Sequence, residues 1–259
     1  MSDPLDFSGK VVLVTGGGRG VGRGIAERFL AAGAEVAICG RNAPEAPPAA
    51  GGRSAIFEPC DVRDAEAVDR MVAAVAERLG RLDVLVNNAG GSPAADADTA
   101  SPRFHESIIR LNLTSVLHCA QRANAVMQGQ HEGGAIVNVS SVSGMRPSPG
   151  TAAYGAAKAG VLSLTQTLAV EWAPKVRVNA VTAGMIRTEL AHLHYGDEDG
   201  IASVAATVPL GRLGEPRDVG DVCLFLASPL SSYVSGANVL MHGGGENPAF
   251  LGAAKNTQP

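Results

Sequence analysis

The sequence predicts an α/β protein with one doubly wound parallel sheet covered by helices on both faces. Short apolar runs alternate with helical patterns along the whole chain, which is the order that strand–helix–strand units require. The strand-like runs are continuously apolar, as in strands buried on both sides. A glycine-rich turn joins the first run to the first helix. Because no repeat or linker interrupts this order, residues 1–259 are predicted to form a single domain.

Each element follows from its local pattern. Apolar runs predict strands over residues 11–14, 35–39, 55–57, 84–86, 135–139, 176–181 and 238–241. Helical spacing predicts helices over about 21–31, 65–79, 104–127, 153–172 and 219–227. The crossover at 42–52 differs, because it contains three prolines and two glycines. Proline removes a donor and clashes with the preceding turn, so we expect a loop or one short turn there.

Composition limits the classes of function. A hydrophobic content of 46% and a charged content of 18% suit a packed core. With a net charge of −4 and no basic stripe, a nucleic-acid partner is not expected. The amino terminus does not resemble a secretory signal and no apolar run reaches membrane-spanning length. Four scattered cysteines are predicted to be structural thiols of a reducing cytoplasm rather than a disulfide or zinc framework. His192 and His194 are assigned to a solvated loop, and no metal site is predicted.

The turn after the first strand is predicted to bind phosphate groups. Glycine allows a tight turn and close approach of a ligand, and the following helix offers unpaired N–H groups. The predicted phosphate-binding residues are Gly16, Arg19, Gly20, Val21 and Gly22. A glycine-rich turn without a ligand is the alternative for this motif taken alone.

The end of the second strand indicates which dinucleotide binds. An acidic residue there would accept hydrogen bonds from the ribose 2′-OH of NAD, but the sequence reads Cys39-Gly40-Arg41. A guanidinium binds a 2′-phosphate through charge-assisted hydrogen bonds. Arg41 is therefore the first candidate for a 2′-phosphate contact and Arg19 the second, which favours NADP(H) over NAD(H). The alternative is that both arginines are solvated surface charges.

Tyr154 and Lys158 are four residues apart, which places both on one helix face with about 5–6 Å between Cβ atoms. A free tyrosine titrates near ~10, and a nearby ammonium lowers that pKa. A drop of ~3 pKa units requires about 4 kcal/mol, which Lys158 and a positive nicotinamide ring could supply together. An exposed helix face is the alternative for an isolated pair of this spacing.

Together with Asn87-Asn88-Ala89-Gly90 and Ser141, these fragments resemble the short-chain dehydrogenase/reductase family, over residues 10–244. The resemblance implies a Rossmann-like fold with a seven-stranded parallel sheet. It implies that Tyr154 is the general acid in carbonyl reduction and the base in alcohol oxidation, and that Lys158 holds the nicotinamide ribose. Ser141, thirteen residues before Tyr154, would polarise the substrate carbonyl. Asn112 would distort its helix and hold a water linked to Lys158; an ordinary helix amide is its alternative.

The resemblance also assigns the remaining cofactor contacts. Asp61 and Val62 follow the third strand, where similar proteins bind adenine; for Asp61, a helix N-cap role near Asp64 is the alternative. The small residues Asn88, Ala89 and Gly90 would let the adenosine ribose lie against the backbone. Ile186 and Thr188 would contact the nicotinamide carboxamide. Their loop carries Ala183 where the family usually has proline, which puts its rigidity in doubt.

Two further segments complete the predicted organisation. Residues 189–207, here called the lid segment, are expected to cover the substrate. The tail at 245–259 is expected either to fray or to reach a neighbouring subunit, with fraying favoured. The resemblance implies a homotetramer or homodimer paired through the helices at 104–127 and 153–172.

The sequence thus predicts a cytoplasmic NADP(H)-dependent oxidoreductase that interconverts a ketone and a secondary alcohol. Reductases of 3-oxoacyl thioesters are the nearest analogy, and steroid, sugar or small-alcohol dehydrogenases are the alternatives within the family. A non-catalytic NADP-sensing protein is the alternative from another class.

Overall fold

The computed structural model describes residues 3–250. Seven strands form one sheet: β1 Val11–Thr15, β2 Glu35–Gly40, β5 Ile56–Pro59, β6 Val84–Asn87, β7 Gly134–Ser141, β8 Val176–Ala183 and β9 Asn238–Met241. All are parallel, in the order β5-β2-β1-β6-β7-β8-β9. The strands β3 Ala49–Ala50 and β4 Arg53–Ser54 form a separate hairpin. The helices are α1 Gly20–Ala31, α2 Ala65–Leu79, α3 Pro102–Ile109, α4 Ser115–Gly129, α5 Ala152–Glu171, α6 His192–Tyr195, α7 Glu198–Ala206 and α8 Pro216–Ala227.

Two apolar cores lie on opposite faces of the sheet. Alternate side chains of each strand point to opposite faces, so Val12 and Val14 of β1 pack with α1 and α8. Val11 and Leu13 pack with α2, α4 and α5. Both sides of each central strand are therefore buried, which explains why the strand sequences are continuously apolar. The predicted doubly wound fold is confirmed.

The chain order along the sheet reverses at β1. The chain moves outward from β1 to β2 and β5, then returns to β6 on the other side of β1. In such sheets a crevice opens at the carboxyl ends of the strands flanking the reversal. Because every strand pair is parallel, the ends of β1, β2, β6, β7 and β8 all lie at this edge.

The proline-rich crossover between β2 and β5 contains no helix, as predicted. It forms a short antiparallel hairpin that the sequence pattern did not predict, with β3 at Ala49–Ala50 and β4 at Arg53–Ser54. Gly51 and Gly52, at φ +58° and +75°, supply its turn. Pro44 lies close to the glycine turn. A Cβ atom placed at Gly18 would be 3.4 Å from Pro44 Cβ.

The lid segment contains α6 and α7 and packs through a small apolar cluster, in which its residues Ala191 and Ile201 are buried with Val208 and Leu213. The tail is ordered farther than expected. Asn247 N donates to Thr207 O at 2.9 Å, and Glu246 forms an ion pair with Arg146. Glu246 and Asn247 therefore contact the β7–α5 loop and the lid segment of the same chain. Residues 251–259 lie outside the described part of the chain.

Candidate active site

The glycine turn forms a backbone cradle between β1 and α1. Gly20 has φ +51°, a left-handed conformation that favours glycine. At Gly22 a Cβ atom would lie 2.3 Å from Gly16 O, so only glycine permits this close approach. Val21 is half-buried beside them. The cradle and the N–H groups of α1 suit the pyrophosphate of a dinucleotide.

Thr15 and Asn88 hold the cradle against the end of β6. Thr15 Oγ1 accepts hydrogen bonds from Asn88 N and Ala89 N, both at 3.0 Å. Asn88 Nδ2 donates to Thr15 O at 2.9 Å. The Asn88 side chain therefore positions the turn, and Ala89 is left as a small residue beside Gly16. The positioning role of Thr15 was not predicted, although a hydroxyl directly before the glycines was a usable signal.

The predicted adenosine end lies past β2 and β5. Arg41 is exposed there, and its charge contributes to lowering the pKa of Asp61, which is lowered chiefly by a hydrogen bond from Arg63. Arg63 binds the Asp61 carboxylate through Nε at 2.9 Å and Nη2 at 2.6 Å. Asp64, not Asp61, caps α2, accepting from Glu66 N at 3.0 Å.

Val62 and Arg19, two further predicted cofactor residues, differ in exposure. The Val62 side chain is buried in the core with α2. Arg19 is exposed at the N-cap position of α1 and makes no side-chain capping bond.

Tyr154 and Lys158 lie together in the first two turns of α5. Lys158 Nζ is 5.7 Å from the centroid of the Tyr154 ring and donates to Val139 O at 2.7 Å. The lysine is only 3% exposed. Burial lowers its pKa to about 8, because desolvation disfavours the charged form.

Lys158 by itself does not lower the pKa of Tyr154 in this structure. Burial raises the pKa of Tyr154, and a hydrogen bond with the Ser141 side chain acts in the opposite direction. The geometry gives the reason. The ammonium lies over the ring and donates to Val139 O, while Tyr154 is half-buried. Tyr154 is therefore protonated at neutral pH.

Ser141 is the last residue of β7, which places its hydroxyl at the crevice edge beside Tyr154. Its Oγ also accepts from Ser143 N at 3.2 Å. The neighbouring serines make structural hydrogen bonds. Ser140 Oγ donates to Lys158 O at 3.0 Å, and Ser148 Oγ donates to Ser143 Oγ at 3.0 Å.

Asn112 lies in a π-helical turn, Arg110–Thr114, between α3 and α4. Its Oδ1 accepts from Gly91 N at 2.8 Å, and its Nδ2 donates to Gly91 O at 3.0 Å and to Ile108 O at 2.9 Å. The fully buried side chain thus fixes the loop after β6. A Cβ atom at Gly90 would lie 2.6 Å from Asn112 Oδ1 and 3.5 Å from Lys158 Nζ, so this loop brings Asn112 near the lysine.

The loop after β8 returns the chain to the glycine turn. Ile186 forms a backbone bridge with Gly214. Thr188 lies close to the start of α1. A Cβ atom placed at Gly20 would be 3.6 Å from Thr188 Cγ2. Ala183 remains in β8, and the next residue continues its pairing, with Gly184 N donating to Met241 O at 2.8 Å. Alanine in place of proline therefore leaves the strand end paired.

Comparisons with known proteins agree with this arrangement. The family model described as enoyl-(acyl carrier protein) reductase matches residues 16–246. The chain is 36% identical over 235 residues to a 3alpha-hydroxysteroid dehydrogenase of Mediterraneibacter gnavus, covering 88% of this chain and 93% of the relative. It is 35% identical over 256 residues to the 3-oxoacyl-(acyl-carrier-protein) reductase of Vibrio harveyi, covering 93% and 98%.

A solved structure shares the fold over nearly the full length. The ligand-free aldohexose dehydrogenase of Thermoplasma acidophilum superposes with a TM-score of 0.86 at 30% identity, covering 98% of each chain. The fold and site define a dinucleotide-dependent oxidoreductase of the class that acts on CH–OH groups. The chain belongs to the short-chain dehydrogenase/reductase family.

Proposed function

We propose that this protein is an NADP(H)-dependent oxidoreductase that interconverts a ketone and a secondary alcohol. The observation that carries the proposal is the buried Lys158 ammonium, whose Nζ lies against the Tyr154 ring and near Asn112 at the carboxyl edge of the sheet. A buried charge beside a phenol, at the end of a dinucleotide crevice, suits proton transfer coupled to reaction at a carbonyl. The glycine cradle suits a pyrophosphate. Its turn is so tight that no side chain fits at Gly22.

Each reacting residue has one proposed task. Bound NADPH supplies the hydride. Tyr154, protonated at neutral pH because burial raises its pKa, donates the hydroxyl proton to the substrate oxygen. Ser141 donates a hydrogen bond to that oxygen and orients the carbonyl. Lys158 supplies positive charge beside the phenol and holds the ribose, and Asn112 holds the Gly91 loop in place. In alcohol oxidation Tyr154 accepts the proton instead.

Selectivity for NADP(H) is proposed to come from Arg41. It is exposed beyond β2, whereas Arg63 is engaged by Asp61. Turning the Arg41 guanidinium toward a 2′-phosphate would therefore break no ion pair like the one between Arg63 and Asp61. Arg19 is the second proposed contact, and the backbone near Val62 and the loop at Gly90 are proposed to receive the adenosine.

The organisation around the site is proposed as follows. Residues 1–259 are one domain, Ile186 and Thr188 contact the nicotinamide, and the lid segment closes over substrate. A homotetramer or homodimer is proposed, paired through the helices at 104–127 and 153–172. A second exposed apolar surface from α8 to the edge strand β9 supports association of subunits: Phe225, Leu230, Tyr233 and Leu240. Four buried free cysteines support a cytoplasmic location. Within residues 3–250, no helix is long and apolar enough to cross a membrane.

The substrate is proposed to be a ketone or secondary alcohol of the kinds named for the relatives, with 3-oxoacyl thioesters and hydroxysteroids tested first. NADPH absorbance is followed with each compound, and Tyr154→Phe is the decisive variant. It should abolish turnover while keeping the affinity for NADPH, because only the proton donor is lost. Unchanged turnover would refute the assignment of Tyr154, and lost NADPH binding would show that the residue acts structurally.

A further inference from the structure

Glu189, the first residue of the lid segment, contacts the amino-terminal turn of α1. Its Oε1 accepts a hydrogen bond from Gly20 N at 2.9 Å. Both carboxylate oxygens lie 3.9 Å from where a Cβ atom at Gly20 would stand. The chain separation of 169 residues makes this a tertiary contact. A negative group from the lid segment therefore lies at the turn that is shaped for phosphate.

No local residue of α1 supplies such a group. Its N-cap, Arg19, makes no side-chain capping bond, and its first turn contains no acid. By contrast, α2 has Asp64 as a side-chain cap and Glu66 in its first turn. Glu189 thus takes the place of a cap at α1, where an N–H group and the helix dipole favour an anion.

The carboxylate has room to leave. A cavity of about 860 Å³ lies beside it, lined on one side by α1 and α8 and on the other by residues of the lid segment. Arg187 is paired with Glu198 at 2.8 Å rather than with Glu189. The exposed Glu189 side chain can therefore swing out without opening the apolar core or breaking that ion pair.

We propose that Glu189 is a positioning residue that competes with the pyrophosphate of NADP(H) for Gly20 N. In the cofactor-free protein its carboxylate holds the lid segment against α1. Cofactor binding displaces it, because two anions cannot share one N–H donor, and releases the lid segment to rearrange over the substrate. Part of the binding free energy of the cofactor is thereby used for this displacement. The inference rests on the proposed cofactor and adds a link between that cofactor and the lid segment.

The test compares dissociation constants for Glu189→Gln with those for Glu198→Gln. Both variants remove one negative charge from the lid segment, but Glu198 pairs with Arg187 and not with α1. Removing an anion from a helix amino terminus changes stability by about 1 kcal/mol. E189Q should therefore bind NADPH about 5-fold more tightly than wild type, with E198Q nearly unchanged. Adenosine 2′-phosphate, which lacks the pyrophosphate, should bind E189Q and wild type equally.

Two results would overturn the inference. One is NADPH affinity that is unchanged or weaker in E189Q. The other is tightening of NADPH and adenosine 2′-phosphate by the same factor, which would indicate a general structural effect. Hydrogen exchange without cofactor gives a separate readout, since E189Q should exchange faster than E198Q over 188–207. If neither wild type nor the two variants bound NADPH, the proposed function and the proposed competition would both fail. Hydrogen exchange would still report whether the contact between Glu189 and Gly20 holds the lid segment.

Discussion

Replacing Lys158 with methionine should abolish turnover and yet stabilise the folded protein at neutral pH. Methionine has a similar length and no charge, so it fills the same buried site. Burial lowers the pKa of the Lys158 ammonium from its ordinary 10.5 to about 8. A buried lysine with a lowered pKa destabilises the folded state, because protonation is harder there than in the unfolded chain.

The expected size follows from that difference. One pKa unit corresponds to about 1.4 kcal/mol, so the charge costs about 3 kcal/mol of stability at pH 7. The cost is fully present below pH 8 and is lost as the pH rises toward 10.5. Methionine also leaves Val139 O without its donor, which costs about 1–3 kcal/mol at every pH. The variant should therefore gain about 1 kcal/mol at pH 7 and lose that advantage by pH 10.

Urea denaturation at pH 7 and pH 10, at one protein concentration, measures the effect. The unfolding free energy of wild type should rise relative to Lys158→Met by about 2.5 kcal/mol across that range. Lys175→Met is the matched control, since Lys175 Nζ also donates to a main-chain carbonyl, Gln128 O, but is exposed. A stability gap between wild type and Lys158→Met that is equal at both pH values would refute the reasoning.

Three further predictions concern activity. Gly90→Ala should lower kcat/KM by about 10- to 100-fold, because its methyl group would clash with Asn112 Oδ1. Gly129→Ala is the control, because a methyl group there meets no atom within 4 Å. Equal kcat/KM values for the two variants would contradict the prediction. Arg41→Ala should weaken NADPH binding by roughly 1.5–3 kcal/mol in titrations and leave NADH nearly unchanged, whereas equal losses would exclude the 2′-phosphate contact. Because burial raises the pKa of Tyr154, initial rates of alcohol oxidation should rise between about pH 7 and 10; a falling rate would contradict its role as base.

The fold could be predicted because each element carries its own local signal. Continuous apolar runs identified all seven strands of the sheet, and proline identified the crossover that contains no helix. The hairpin Ala49–Ala50 with Arg53–Ser54 was missed because two-residue strands are too short for a periodic pattern. The predicted helix at 104–127 corresponds to α3, a π-helical turn and α4, and the turn has no signal in hydrophobic spacing.

Motif spacing predicts candidate site residues but not the contacts that they make. Motif spacing identified Tyr154 and Lys158, but not the bond from Lys158 Nζ to Val139 O, which depends on how α5 packs against β7. The effect of burial on the Tyr154 pKa could not be predicted for the same reason, since burial is a tertiary property. The contact between Glu189 and Gly20 joins residues far apart in the chain, so no local pattern contains it.

The energetics of Lys158 also distinguish an enzyme from a protein that only binds the cofactor. The cofactor contacts proposed for the Gly22 cradle and for Arg41 would be enough for binding, and neither requires a buried ammonium over the Tyr154 ring. A binding protein would gain stability by replacing Lys158 with an apolar residue, since the charge destabilises the fold at neutral pH. Proteins typically retain such strain where the chemistry uses it. The cost of burying Lys158 therefore supports the proposed role of its charge beside Tyr154.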